Sequence, residues 1–377
     1  QIINLDATIL QQRLQNLGFR GTLFQCQWLD NTGILPEDVN NILCIGLGEH
    51  PTQCTRDDLS RCAYLAAQSL EQRAQSSAAL VALDSHYADN IFAHAWFDGM
   101  AYAHYRCTTY HKQPKPAAPD CTIHYHTHAS THAQRIYQHA LSRHKGTALA
   151  KDLMHQPPNL LTPTAFADSI RDLDKCGIEV SILDEKALAA EGMHALLSVG
   201  QGSAAASRLV CMRWAGIGEQ TQQPLALIGK GVCYDSGGIN IKLRSLTEMK
   251  YDMGGAAAVV GAMRALAENK CSQSVVGVVA LVENMPGSQA MRPSDVISSR
   301  QGLSIEVLNT DAEGRLILAD AIDYAIDTFK PRALVDLATL TGAIIVSLGH
   351  EYAGYFTSCE ELSNSLAHAS QASNEKL

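Results

Sequence analysis

Two carboxylates and a cation occupy alternate positions in Asn309-Thr310-Asp311-Ala312-Glu313-Gly314-Arg315. The run at 305–308, apolar apart from Glu306, leads into them and is read as a buried strand. The charges of Asp311, Glu313 and Arg315 then fall at a strand end, where open α/β sheets bind ligands. A lone Asp-x-Glu is more often a solvated turn. A second cluster upstream raises this one above that reading.

That cluster follows another apolar run, at 225–228. It reads Gly229-Lys230-Gly231-Val232-Cys233-Tyr234-Asp235-Ser236-Gly237-Gly238, with Lys242, Met249 and Asp252 soon after. Asp235, Asp252, Asp311 and Glu313 supply four carboxylates, enough to hold two divalent cations. Hard cations take oxygen ligands, and paired metals suit hydrolysis. The glycines would let backbone approach the ions. By itself, Asp252 reads as the N-cap of a helix over 253–268. By themselves, Arg315 reads as a counter-ion for Asp311 and Lys242 as a surface cation. Lys230 differs, because it directly follows an apolar strand between two glycines, a poor setting for a surface lysine. Cys233 lies within reach of the same centre, but its strand position predicts a thiol pointing into the core.

Together the clusters resemble the leucyl aminopeptidase family, the dinuclear metallo-exopeptidases, from about residue 150 to the end of the chain. The stretches 229–255 and 309–315 carry the resemblance. Lesser matches are Gln156-Pro157-Pro158-Asn159, Val199-Gly200-Gln201-Gly202-Ser203 and Ala338-Thr339-Leu340-Thr341-Gly342. The resemblance implies that Asp235 and Glu313 bridge two metals, that Asp311 binds one of them, and that Lys230 and Asp252 bind the other. It implies Lys242 as the catalytic lysine and Arg315 as the holder of a bicarbonate ion acting as general base. Met249, Thr339, Leu340 and Gly342 match positions around the substrate. His155, where asparagine is more usual, and Leu243, where proline is common, depart from the pattern without replacing a ligand.

The implied activity is metal-dependent removal of the N-terminal residue from short peptides by a water or hydroxide activated between two metals. A metal lowers the pKa of bound water from about 15.7 to about 7. A second metal would take the free α-amine. A lysine ligand must be neutral, and adjacent cations supply that depression. Lys242 would stay protonated and stabilise the developing oxyanion. Carboxylates plus one amine suit Zn²⁺ or Mn²⁺, and also Mg²⁺ or Co²⁺. The resemblance further implies a cytoplasmic homohexamer, a dimer of trimers. Two alternatives stand beside it: a DNA-binding or regulatory hexameric relative, and another dinuclear metallohydrolase such as a phosphoesterase. Many phosphoesterases use histidine ligands, which these stretches lack.

Composition sets bounds on both. The 377 residues suit two or three domains, and 46% hydrophobic with 18% charged residues fits a sizeable core. A net charge of −9 argues against nucleic-acid and membrane-surface partners. No apolar run reaches the roughly 18 residues of a membrane span, and no signal peptide opens the chain. Eleven scattered cysteines without a C-x-x-C pair read as reduced thiols and not as a disulfide framework.

These groups must be positioned by alternating elements. Residues 1–129 read as an α/β domain and 130–154 as a connecting helix. Residues 155–377 read as a catalytic α/β sandwich with a mixed, largely parallel sheet, which the resemblance implies continues past Leu377. Helices are predicted over 57–74, 164–173, 185–190, 253–268, 316–329 and 360–372. Strands are predicted over 42–47, 178–183, 209–214, 225–228, 275–282, 305–308 and 334–337. Lys230, Asp311 and Thr339 each follow the end of a different strand, so parallel strands would deliver all three to one crevice. The stretch 113–119 is a Pro-rich surface loop. His124, His126 and His128 alternate on one strand, about 6.6 Å apart. No carboxylate or cysteine cluster accompanies them or His132, which favours a solvated face over a metal site.

Overall fold

The computed structural model describes residues 7–30, 40–50, 53–75, 77–80, 90–107, 109–110, 112, 122–125, 130–217 and 223–377. The chain divides into two compact units, Gln1–His144 and Lys145–Leu377.

The first unit contains α1 (Ala7–Asn16), β1 (Cys26–Asp30), β2 (Asn41–Ile45), α2 (Arg56–Gln72), β3 (Ser77–Leu80), α3 (Asn90–His104), β4 (Thr122–Tyr125) and the start of α4 (Ser130–His155). β1 and β2 pair antiparallel, and β3 and β4 pair parallel. Thr55 and Asp58 form a capping box at the start of α2, which satisfies two backbone donors that the helix leaves open. α2 and α3 then bury Cys62, Ala63 and Ala66 with Ala95, Trp96 and Met100. The Pro-rich loop at 113–119, His126 and His128 lie outside the described residues. His132 lies on α4 with its Nδ1 3.1 Å from the Arg135 guanidinium.

The second unit continues with α5 (Pro163–Ile170), β5 (Glu179–Leu183), α6 (Glu185–Ala190), α7 (His194–Gly200), β6 (Arg208–Trp214), β7 (Leu225–Asp235), α8 (Gly254–Glu268), β8 (Val275–Asn284), β9 (Val296–Ser298), β10 (Ser304–Glu306), α9 (Gly314–Phe329), β11 (Ala333–Leu337), α10 (Ala343–Leu348) and α11 (Glu360–Ser373). Its five-stranded sheet has the order β11-β7-β8-β6-β5. β11, β7 and β8 run parallel and β6 runs against its neighbours, giving the expected mixed sheet. β8 is a near-continuous Val/Ala/Leu run, buried almost throughout, as a central strand covered on both faces must be. One face packs on Phe166, Ile170, Val259, Met263 and Leu153 from α5, α8 and the end of α4. The other packs on Leu188, Leu196, Val199, Ile317 and Ala321 from α6, α7 and α9.

Two strand expectations change. The run at 305–308 is not a buried strand of the main sheet. Only Ser304–Glu306 pairs, antiparallel with β9, in a separate two-stranded ribbon. Val307 turns inward at 3% exposure while Leu308 is 77% exposed, the alternation of a half-buried ribbon. Asp311 therefore arrives on a loop. The strand predicted at 225–228 instead runs on to Asp235, so Lys230 lies inside it.

α9 carries Glu313 at its start, and one buried acid fixes where that helix lies. The Asp320 carboxylate is fully buried and accepts from the Leu196 amide at 2.9 Å and the Arg300 amide at 2.8 Å. It joins α9 to the start of α7 and to the loop after β9. Asp320→Ala strips the acceptor from these amides, and a lost buried partner costs about 1–3 kcal/mol. Urea unfolding should show a lower midpoint with an unchanged slope. A midpoint equal to the parent's would remove Asp320 from the determinants of this packing.

Candidate metal centre

β7 extends beyond its neighbour. The register pairs Leu337 of β11 with Gly229, so residues 230–235 run on past β11 while β8 accompanies them to the Asp235–Asn284 pair. The freed edge is used at once: the Val232 amide donates to the Asp252 carbonyl at 3.1 Å. Lys230 and Asp235 are five residues apart, which in a regular strand would put them on opposite faces. The register shift between Val232 and Tyr234 inserts Cys233 as an extra residue. Such a bulge restores both side chains to one face, the side that Val232 and Val282 share with α9. Cys233 turns into the opposite core, as expected, and burial pushes its thiol pKa well above the ordinary value.

The start of α9 meets Lys230 there. A Cβ on Gly314 would lie 2.6 Å from Lys230 Cε and 2.9 Å from Nζ, so a side chain there would push the lysine tip away from its acids. Lys230, 2% exposed, places Nζ 2.8 Å from Asp252 Oδ1 and 3.0 Å from Glu313 Oε1. Nζ also donates to the Thr339 carbonyl at 3.0 Å, and Thr339 Oγ1 donates to Asp252 Oδ1 at 2.8 Å. Asp252 is thus not a helix cap. Met253 holds that position in α8, without a side-chain cap, because the carboxylate is drawn to Lys230 instead.

The loop after β7 brings Lys242 to the same place. Gly237 adopts φ 88°, and a Cβ there would lie 2.4 Å from the Asn240 carbonyl and 3.0 Å from Asp311 Oδ1. The Lys242 amide donates to the Ser236 carbonyl at 2.9 Å. Its ammonium stands 2.7 Å from Asp235 Oδ2 and 2.5 Å from Asp311 Oδ1. The counter-ion of Asp311 is therefore Lys242, while Arg315 lies exposed in the first turn of α9.

The charges do not balance within the centre. Four carboxylates face two ammoniums, and the acids are largely withdrawn from water. Burial disfavours the charged form of Lys230, yet Glu313 and Asp252 together raise its pKa. Burial also works against Lys242, but the hydrogen bonds it donates to Asp235 and Asp311 hold its pKa above the ordinary lysine value. Asp252 goes up to about 7, first through burial and then through repulsion by Glu313, with Lys230 opposing both. Asp252 Oδ2 and Glu313 Oε2 are buried without a hydrogen-bond partner. Oxygens of Asp235, Asp311 and Glu313 lie within 4.8 Å of one another. Buried acceptors without donors are costly, and a hard divalent cation among carboxylate oxygens would satisfy them. The donor set fits such ions.

Contacts bring together Lys230, Asp235, Lys242, Asp252, Asp311, Glu313 and Thr339. Met249 lies half-buried on a 3₁₀ turn, Leu246–Tyr251. Leu340 is 43% exposed after β11, and Gly342 opens α10. The sequence reading passed over Asn284, Thr310 and Asn240. Asn284 Nδ2 donates to Asp235 Oδ1 and to the Thr310 carbonyl, and Asn240 Oδ1 accepts from the Thr310 amide. A polar residue closing an apolar strand before Met285-Pro286-Gly287 was the available signal for Asn284.

The chain is 50% identical over 246 residues to "Probable cytosol aminopeptidase" of Caulobacter vibrioides, spanning 65% of this chain and 50% of that protein. It is 40% identical over 369 residues to the protein of the same description in Brucella melitensis, spanning 96% and 74%. The chain thus spans about half the length of several curated relatives that it matches. Among solved structures, the bottromycin maturation enzyme BotP is similar with a TM-score of 0.83 at 30% identity, over 97% of this chain and 76% of that one. BotP in complex with Mn gives 0.83 at 29%, over 97% and 77%. Residues 148–377 match the catalytic domain of the cytosol aminopeptidase family, a span that holds every residue of the carboxylate–lysine centre, and the chain belongs to that family.

Proposed function

We propose that the protein is a metal-dependent aminopeptidase that removes the N-terminal residue from short peptides. The observation that carries this reading is the under-neutralised centre: four acids, two lysines and orphaned buried oxygens within the catalytic-domain match. Asp235, Asp252, Asp311 and Glu313 would hold two divalent ions together with Lys230, whose ammonium would give up a proton as the cation enters. Zn²⁺ or Mn²⁺ leads, with Mg²⁺ and Co²⁺ compatible with the same donors; the likeness to BotP, solved with Mn, supports manganese. When bound, such a pair lowers the pKa of water and polarises a carbonyl.

The chain's own groups do the rest. Lys242 stays protonated beside the centre and donates to the oxygen on which negative charge develops. Arg315, exposed near Glu313, offers a fork of donors that fits a bicarbonate ion, whose part is to accept a proton. Met249, Thr339, Leu340 and Gly342 bound the substrate position, and the apolar Met249 and Leu340 favour an apolar first residue. The residues 155–377 form the catalytic domain in this reading. Relatives described as cytosol aminopeptidases support a cytoplasmic enzyme, and family membership supports a homohexamer, a dimer of trimers enclosing its sites. Among the described residues no helix is long and apolar enough to cross a membrane. Net charge of −9 speaks against the DNA-binding alternative, and the absence of histidine from the contacts described above speaks against a histidine-rich phosphoesterase.

Replacing either of two proposed ligands, by Asp235→Ala or Glu313→Ala, should abolish hydrolysis of aminoacyl anilides and lower metal content in elemental analysis. Full activity with two bound metals in either variant would remove the assignment. Lys242→Ala should keep both metals and lose about 2.7–4 kcal/mol of transition-state stabilisation, seen as a fall in kcat of about 10²–10³-fold. A raised KM with unchanged kcat would make Lys242 a ground-state binding residue instead. For assembly, light scattering should give a six-subunit mass, and an unfolded long polypeptide should be trimmed slowly. A monomeric mass with rapid trimming would rule out the enclosed chamber while leaving the metal chemistry intact.

A further inference from the structure

We propose that Asn284 is a positioning residue of this centre: it commits one oxygen of Asp235 to the protein and leaves the other for the cations. The inference rests on the metalloaminopeptidase reading above. Asn284 closes β8 opposite Asp235 in the register and is 2% exposed. Its Nδ2 donates to Asp235 Oδ1 at 2.8 Å and to the Thr310 carbonyl at 3.0 Å. Both partners only accept, so the carboxamide has a single workable orientation. The Gly237 amide donates to the same Oδ1 at 2.9 Å. Oδ1 therefore receives two donors, while Oδ2 faces the Lys242 ammonium.

The terminal torsion of a carboxylate is soft, so an unrestrained Asp235 would offer either oxygen. Two N–H groups remove that freedom, and hydrogen bonds to an ionised acceptor are the stronger kind. The second bond of Asn284 holds Thr310, the chain neighbour of Asp311. One amide thus sets the relative placement of two acids that reach the centre on separate segments. The loop has other ties that do not touch Asp235. Thr310 Oγ1 donates to the Gly237 carbonyl at 2.6 Å, and the Asn240 amide donates to Thr310 Oγ1 at 2.8 Å. The side chain of Asn240 accepts from the Thr310 amide at 2.8 Å. Asn240 can therefore report what loop tethering alone contributes.

The experiment is a Mn²⁺ titration of metal-stripped protein by calorimetry, with electron paramagnetic resonance to follow the coupled ion pair. The unsubstituted protein should take up two ions and give the coupled signal. Asn284→Ala and Asn284→Asp should weaken at least one ion by about 10–100-fold, the usual effect of losing a partner behind a ligand, and the coupled signal should fade. Asn284→Asp should be the worse, since it sets an acceptor against two acceptors. Asn240→Ala should bind Mn²⁺ as the unsubstituted protein does. Circular dichroism of the stripped variants checks folding. If Asn284→Ala does not fold, Asn284→Ser, which is small and keeps one donor, decides by the same titration. Asn284 variants with unchanged Mn²⁺ affinity and signal overturn the proposal, as does equal weakening by Asn240→Ala. An unsubstituted protein that takes up no Mn²⁺ overturns the metal reading and this proposal with it.

Discussion

Lys230 holds its charge almost out of reach of water, between two acids that cannot both be neutralised by it. Withdrawing an ion into a protein interior costs several kcal/mol even after relaxation. A fold accepts that cost only where partners are placed with care. Lys242 repeats the arrangement nearer the surface with Asp235 and Asp311. The lysines hold the acids together against their mutual repulsion, yet leave negative charge unbalanced. Much of the surrounding structure follows from keeping that cluster assembled. Gly314 opens the start of α9 to the lysine stem, Gly237 turns the loop that returns Lys242, and Thr339 bonds both Lys230 and Asp252 from the end of β11.

The scaffold beneath is apolar and regular, which is why it can carry such a strained set of charges. β8 lies buried between two helical layers, its Val/Ala/Leu run filling the core on both faces. The acids then come from points where regular structure stops: the end of β7, the turn before α8 and the loop before α9. Backbone amides and carbonyls that lack partners at those points are bonded to the same residues that carry charge, as the Val232–Asp252 and Gly237–Asp235 bonds show. Loop geometry and site geometry are therefore one network.

Much of this was legible in the sequence. The charged residues of Gly229–Asp235 and Asn309–Arg315 stood out as one carboxylate–lysine cluster, and the family resemblance that these stretches carry supplied the individual roles as expectations. The helices predicted over 253–268 and 316–329 and the strand over 275–282 matched α8, α9 and β8 closely, since each is long and strongly patterned. What stayed hidden depended on tertiary partners. The extension of β7 to Asp235 was masked by Gly229-Lys230-Gly231, where two glycines and a charge interrupt the apolar run. The run at 305–308 is no buried strand because Glu306, between Ile305 and Val307, needs one side open to water. Asp252 read as a cap because nothing local reveals a lysine 22 residues earlier reaching for it. Asn284 was silent for the same reason: a single amide gains meaning only from what stands across the strand.

The bulge at Cys233 also bears on how this strand can change through time. Substitutions at that position need only preserve a small apolar volume in the core. Insertions and deletions between Lys230 and Asp235 face a different constraint, because each alters parity as well as length. Lineages carrying such a change would have to lose or gain a bulge in the same step to keep the two side chains on one side of the sheet. The five-residue interval should therefore be far more resistant to length variation than to changes in the residues within it.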